Sequence, residues 1–265
     1  MNELTHVDLF SGLGCWAIAA QANGVETVAL CECEEWLAQG LERIWRVPCY
    51  RDVKTFPAIQ YRGTWLLTGS PPCQPVSCAG KRKGKSDDRW LWDQAISVCQ
   101  IVHPAWFCFE NPPGINGLGL DGIISDLERI GYEVQAIRIP ACAIDSPQDR
   151  DRFWIMGWIM GHTKRNGQSR TWNALQHGAE NGDRQANKYR STTQSRLVAA
   201  SIGPADSRIE FRGKLYRIPA GLHELANATA AGIPKKLRSR FISALGNAIV
   251  WPIAAQIISA MKETE

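Results

Sequence analysis

From His6 to Trp158 short apolar segments alternate with segments of helical spacing, and this alternation restricts the chain to one architecture. His6–Phe10 reads as a strand ending in a glycine turn, and Gly14–Asn23 continues as an alanine-rich helix. Thr27–Glu32 is a second strand, followed by a helix through Trp36, Leu37, Leu41 and Trp45. A weaker strand precedes Asp52, Trp65–Gly69 is the next, and Ser77–Asp88 is a glycine- and lysine-rich loop. Leu91–Ile101 and Ile123–Ile130 are helices; Trp106–Glu110, Glu133–Ile139 and Phe153–Trp158 are strands. Repeated βα units of this length predict an α/β fold with a doubly wound, mostly parallel sheet.

After Gly161 the apolar periodicity stops, and Gly, Asn, Gln, Ser, Thr and Arg dominate as far as Ser207. That composition reads as loops or partial disorder. Ile209–Ile218 is a hairpin candidate around Arg212-Gly213-Lys214, and Ala248–Met261 returns as an amphipathic helix. The expected division is therefore a catalytic domain over 1–158, a small, reduced second domain over 159–240, and a helix within 241–265 that returns to the first domain.

With 265 residues the chain is long enough to bury a full core. Its nine cysteines are odd in number and follow no disulfide-like spacing, which suits reduced thiols and predicts a cytoplasmic protein. Cys31 and Cys33 have no second pair to complete a zinc set, so no metal is expected. No apolar run is long enough to span a bilayer. The net charge is +4, and residues 161–200 alone hold seven basic side chains against two acidic ones. Further basic clusters, Lys81 to Arg89 and Lys235 to Arg240, make nucleic acid the expected partner.

Gly69-Ser70-Pro71-Pro72-Cys73-Gln74 follows a buried-strand run and carries the chemistry. Two prolines stiffen the turn and hold the thiol in one direction at the sheet's edge, where open α/β sheets place their sites. Taken alone, Cys73 fits a nucleophile and a small buried hydrophobe equally well. Asp8-Leu9-Phe10-Ser11-Gly12-Leu13-Gly14 lets a nucleotide-like ligand approach the backbone near a helix N-terminus, although it lacks a full dinucleotide fingerprint. Glu32 ends the second strand, where a carboxylate accepts from ribose hydroxyls; Asp52 stands after the third, where an adenine amino group would be met.

Together these segments resemble one family, the cytosine-C5 methyltransferases that use S-adenosylmethionine. The resemblance rests on Asp8–Gly14, Glu32, Asp52, Pro71-Pro72-Cys73-Gln74, Glu110-Asn111, Gln148-x-Arg150-x-Arg152 and Gly246–Val250, in that order, and on Asp88–Trp92. It implies a Rossmann-like methyltransferase domain acting on cytosine in DNA, of the kind found in bacteria and phages. It also implies that S-adenosylmethionine is held by Asp8, Phe10, Ser11, Gly12, Gly14, Glu32, Cys33, Asp52, Val53, Pro71, Leu91, Asn247 and Ala248. Cys73, Glu110, Arg150 and Arg152 are then catalytic, and Gln74, Ser77, Lys81, Arg82, Lys83 and Gln148 meet nucleic acid.

The chemistry implied is that the Cys73 thiolate adds to C6 of a flipped cytosine, while Glu110 protonates or hydrogen-bonds N3. Donation requires a raised Glu110 pKa, which desolvation beside the base supplies. Arg152 and Arg150 neutralise and orient the base, methyl passes from the sulfonium to C5, and the lysine-rich loop closes over the site. Two departures stand out. Pro112 occupies the position after Glu-Asn where the family has valine, removing an N–H; Asn111-Pro112-Pro113 thereby also resembles amino-methyltransferases, although Gly114 lacks their aromatic. Fewer than ninety residues separate Trp158 from Gly246, so the recognition region is short. A transfer-RNA substrate, or a nucleic-acid-binding homologue without turnover, are the competing readings.

Overall fold

The computed structural model describes residues 3–72, 90–117, 119–141, 150–159, 197–198, 208–211, 214–217, 244 and 248–264. Its strands are β1 (Thr5–Leu9), β2 (Glu26–Cys31), β3 (Cys49–Tyr50), β4 (Leu66–Gly69), β5 (Trp106–Asn111), β6 (Tyr132–Pro140), β7 (Asp151–Ile159) and β8 (Leu197–Val198). They form one sheet in the order β3-β2-β1-β4-β5-β7-β6-β8. The first five strands run parallel, and β7 is antiparallel to both β5 and β6. The reversal at β1, with β2 on one side and β4 on the other, is the doubly wound arrangement that the βα alternation predicts.

Helices α1 (Cys15–Ala22), α2 (Glu35–Trp45), α3 (Trp92–Val102), α4 (Leu120–Arg129) and α5 (Trp251–Glu263) cover the sheet. Along β5 the alternation of side chains divides the core in two. Phe107 and Phe109 join Leu9, Leu67, Trp92 and Ile123 in one cluster, while Trp106 and Cys108 join Trp16, Trp154, Ile253 and Ile257 in the other. The second cluster ties α5 to α1: Asn23 Nδ2 donates to Ala255 O at 2.9 Å, and Lys262 donates to Asn23 O. The chain's last helix thus packs on its first.

Two segments differ from what the sequence suggests. Leu197–Val198 lies in the stretch read as loop, yet it pairs in parallel with Ala136–Ile137 of β6. Two residues are too few to carry a period, so pairing partners rather than pattern make it a strand. The hairpin is present as β9 (Arg208–Phe211) and β10 (Lys214–Arg217), antiparallel and separate from the main sheet. Other boundaries move by a few residues; α4 begins at Leu120 rather than Ile123, and α5 at Trp251 rather than Ala248, with a proline in its first turn.

Candidate active site

The site lies at the carboxyl ends of β1, β2, β4 and β5, and begins with the turn from β1 to α1. Phe10, Gly12 and Gly14 all have positive φ (56°, 55° and 76°), which bends the chain sharply over Ser11. Gly14 suits the turn because its positive φ strains any other residue, and a Cβ there would lie 2.7 Å from Leu41 Cδ2 and push that side chain aside. Ser11 fastens the turn to β2: its N–H donates to Cys31 O at 2.9 Å, and its hydroxyl accepts from Cys31 N at 3.2 Å and donates to Asp8 O at 2.9 Å.

Glu32 completes this half. One carboxylate oxygen accepts from Gly12 N at 2.7 Å and the other from Glu34 N at 2.8 Å. Each oxygen keeps a lone pair for a further donor, which is what a ribose diol requires. Asp52 caps the short turn Val53–Thr55 by accepting from Lys54 N at 2.9 Å. Arg51 forks across to Glu35 at 2.7 Å and Glu42 at 3.0 Å on α2, fixing the end of β3 beside that helix. Val53 and Pro71 are buried, Cys33 is exposed, and Leu91 stands at the N-terminus of α3. Asp8 is wholly buried, and Thr68 donates to its Oδ1 at 3.1 Å.

The other half is built on β4, β5 and β7. Gly69 pairs with Phe109 across β4 and β5, so Ser70, the first residue beyond β4, comes beside Glu110, which is still paired with Trp154 of β7. A Cβ on Gly69 would lie 2.9 Å from the Leu9 carbonyl oxygen, so only glycine lets β4 pass so close to β1 here. Glu110 is 3% exposed, and Arg152 Nε approaches its Oε1 to 2.6 Å as an ion pair, although Oε1 has no well-aligned hydrogen bond. Burial pushes the Glu110 carboxyl up to about 7, against the opposing pull of Arg152, Arg150 and the Ser70 hydroxyl. Burial in the protein thus achieves the rise without a stacked base.

Arg150 takes a partner the sequence does not announce, donating to the Ala248 carbonyl just before α5, while its Nε is buried without a partner. The close Arg152 charge and desolvation lower its pKa, desolvation being the larger cause. Two further residues were not named as site residues from the sequence. Asn111 Nδ2 donates to Pro71 O at 2.8 Å, holding the Pro-Pro turn against β5, and Trp16 Nε1 donates to Ser70 Oγ at 3.3 Å. A polar residue beside Glu110 at a strand end was the available signal for Asn111; nothing local marks Trp16. Cys73, Gln74, Ser77, Lys81, Arg82, Lys83, Gln148 and Asn247 lie outside the described residues.

A family model described as C-5 cytosine-specific DNA methylase matches residues 4–215. The chain belongs to this family. Among curated methylases it is 31% identical over 164 residues to the type II methyltransferase M.HgiBI of Herpetosiphon aurantiacus, covering 59% of this chain and 38% of that protein. It is 29% identical over 167 residues to the orphan methyltransferase M.SPRI of Bacillus phage SPR, covering 59% and 38% respectively. The matched region thus spans well under half the length of these methylases. In fold it is similar to the Entamoeba histolytica methyltransferase EhMeth (TM-score 0.62, 14% identity, 97% of each chain). It is likewise similar to the S. pombe Dnmt2 methyltransferase (TM-score 0.59, 15% identity, 98% of this chain and 99% of that one). Among the described residues, no helix is long and apolar enough to cross a membrane, and no cluster of side chains is arranged to hold a metal ion.

Proposed function

We propose that the protein methylates C5 of cytosine in double-stranded DNA, using S-adenosylmethionine and a covalent Cys73 adduct. The observation that carries this reading is Glu110, a buried carboxyl held near neutrality at the tip of β5, beside the turn that leads into Cys73. Such a group is protonated often enough at neutral pH to donate to a ring nitrogen, and ionises readily afterwards.

The residues around the β1 turn fit the cofactor: Gly12 and Gly14, both at positive φ, leave the backbone bare for a close approach, and Glu32 offers free lone pairs. Phe10, Ser11, Gly12, Gly14, Glu32, Cys33, Asp52, Val53, Pro71, Leu91, Asn247 and Ala248 would hold it, with Asp8 beneath. When bound, it supplies an electrophilic methyl group on a sulfonium sulfur.

The rest belongs to the protein. Asn111 and Ser70 brace the Pro-Pro turn that precedes Cys73 in the chain. Its thiolate adds to C6 of a flipped-out cytosine; the C5=C6 pair shifts toward C5, and Glu110 supplies the proton or hydrogen bond that steadies N3. Arg152 holds Glu110 in place and presents its remaining N–H groups to the base. Once C5 has taken up the methyl group, loss of the C5 proton to water breaks the bond to C6 and expels Cys73 as the thiolate. Gln74, Ser77, Lys81, Arg82, Lys83 and Gln148 contact nucleic acid, with residues 159–240 as a small recognition region; the protein works in the cytoplasm without a metal.

Incubation with methyl-labelled cofactor and cytosine-rich duplex DNA tests the reading. Label at C5 that vanishes in Cys73→Ala, with a covalent trap on fluorocytosine DNA, is the expected result. Label appearing on transfer RNA in place of DNA overturns the substrate, and equal label in wild type and Cys73→Ala overturns the mechanism.

A further inference from the structure

Four polar side chains lie within the sheet itself, where strands covered on both faces are ordinarily apolar. His6 and Asp8 alternate on β1, Thr27 is on β2 and Thr68 on β4, and all four are buried. A register shift between β1 and β2 skips Val28, which brings Thr27 opposite His6; Thr68 is paired with Asp8. His6 Nδ1 lies 3.0 Å from Thr27 Oγ1, His6 Nε2 lies 2.7 Å from Thr68 Oγ1, and Thr68 Oγ1 donates to Asp8 Oδ1.

Proton counting gives the chain a direction. Burial raises the Asp8 carboxyl to about 7; above that pH it is ionised and only accepts, so the single hydroxyl proton of Thr68 points at Asp8. Thr68 must then accept from His6, which places the imidazole proton on Nε2. Nδ1 is left as an acceptor for the Thr27 hydroxyl. Burial keeps the ring neutral, lowering the His6 pKa to about 3. Every donor in the chain has one acceptor, and buried hydrogen bonds linked in this way hold their three strands stiffly together.

Its two ends are functionally distinct. Thr68 is two residues before Ser70, which reaches Glu110 and Trp16 and leads into the Pro-Pro turn. Asp8 is three residues before Ser11, whose hydroxyl donates to the Asp8 carbonyl. The second carboxylate oxygen, Oδ2, is buried with no partner; Glu32, Cys15 and Cys31 are the titratable groups that share its surroundings. We infer that Thr27, His6, Thr68 and Asp8 form a positioning network that fixes the turn carrying Cys73 against the cofactor turn after β1. This rests on the methyltransferase reading only for its kinetic consequence.

Two measurements on the full chain test it, one independent of turnover. At pH 8, nitrogen-15 shifts of His6, assigned by its loss in His6→Gln, show the Nε2–H tautomer in wild type and in Thr68→Ser. Thr68→Val keeps the shape but removes the hydroxyl, and speeds hydrogen exchange of the Gly69 and Ser70 amides about ten-fold; Thr68→Ser does not. In methyl transfer, Thr68→Val lowers kcat about ten-fold or more and raises the cofactor KM, a loss of the size that small misplacements cause, and Thr68→Ser restores both. An Nδ1–H tautomer in wild type, or unchanged exchange in Thr68→Val, overturns the network. If Thr68→Val does not fold, Thr27→Val removes the far end of the chain, and unchanged exchange at Gly69 overturns it equally. Wild-type protein that shows the tautomer and the exchange pattern but transfers no methyl overturns the functional reading and leaves the network standing.

Discussion

The two halves of the site are held in opposite ways. On the β1–β2–β3 side the two carboxylates at the strand ends are met by backbone donors, Glu32 by Gly12 and Glu34 and Asp52 by Lys54, while Asp8 beneath them keeps one buried oxygen unpaired. On the β4–β5–β7 side the polar atoms are crowded and incompletely satisfied. Glu110 Oε1, Asn111 Oδ1 and Arg150 Nε are all buried without a hydrogen-bond partner. A satisfied carboxylate is a rigid recognition element; a desolvated one beside arginines is a reactive element whose protonation is poised. In the proposed function the first half binds the cofactor and the second handles the proton, and the difference in their hydrogen bonding supports that division.

The sharpest way to break this division is Glu110→Gln. The amide keeps the shape but cannot exchange a proton with the base. It is expected to lower kcat about 10²- to 10⁴-fold, with cofactor affinity, measured by calorimetry, within about two-fold of wild type. A comparable fall in cofactor affinity would merge the two halves. Glu32→Ala does the reverse. It removes the acceptor of the half-buried Gly12 amide and the lone pairs proposed for the ribose, and a hydrogen bond to a charged group contributes about 1.5–3 kcal/mol. The cofactor KM should rise about ten- to a hundred-fold, with kcat at saturating cofactor little changed.

How much of this was legible in the chain follows the same division. Strand ends that carry backbone-satisfied residues are local events: Asp8–Gly14, Glu32 and Asp52 each lie within a few residues of the turn that uses them, so the sequence marks them. The doubly wound sheet was legible for the same reason, because each βα unit declares itself by its own period. Contacts between distant segments were not. Asn111 on Pro71, Trp16 on Ser70 and Arg150 on Ala248 join positions 40, 54 and 98 residues apart, and no local pattern encodes such a pair. His6 shows the limit most clearly. On an apolar strand it reads as a core residue, and only the register shift and the neighbouring strands reveal its two threonines. Strand β8 was missed because two residues carry no period at all.

Stability against pH gives a smaller effect in which Glu110 is isolated by difference, because Asp8 on β1 titrates in the same window. Burial raises the Glu110 carboxyl to about 7, above its ordinary value of 4.5. Between those values the folded state holds a proton that the unfolded chain has released, so this group's contribution falls as pH rises through the window and is flat outside it. Asp8, raised from 3.8 to about 7, acts in the same sense. His6, lowered from 6.5 to about 3, acts in the opposite sense, since the unfolded chain takes up a proton as pH falls. Subtracting the denaturation free energies of Glu110→Gln from those of wild type isolates the first term. The difference should slope by about 1.4 kcal/mol per pH unit between pH 5 and 7, and a flat difference would show that Glu110 ionises normally. Glu32→Ala should leave the wild-type slope in place.

The mildest perturbation concerns how the binding half is held from outside. Arg51 lies next to Asp52, and its guanidinium spans Glu35 and Glu42 on α2. Those hydrogen bonds pull both carboxyls below their ordinary range. The pairs are solvent-exposed, so screening removes most of their energy and little global stability is expected from them. Their effect is geometric: they set the distance between the end of β3 and the helix that follows Glu32. Arg51→Ala should therefore raise the cofactor KM about two- to five-fold while leaving kcat unchanged. Wild type should move toward the variant's KM as salt increases, because salt weakens the same fork that the substitution removes. Arg51→Lys replaces a planar fork by a point charge that reaches one carboxylate at a time, so it should fall between the two. A change in kcat instead would place Arg51 in the reactive half and contradict the separation from which the other predictions follow.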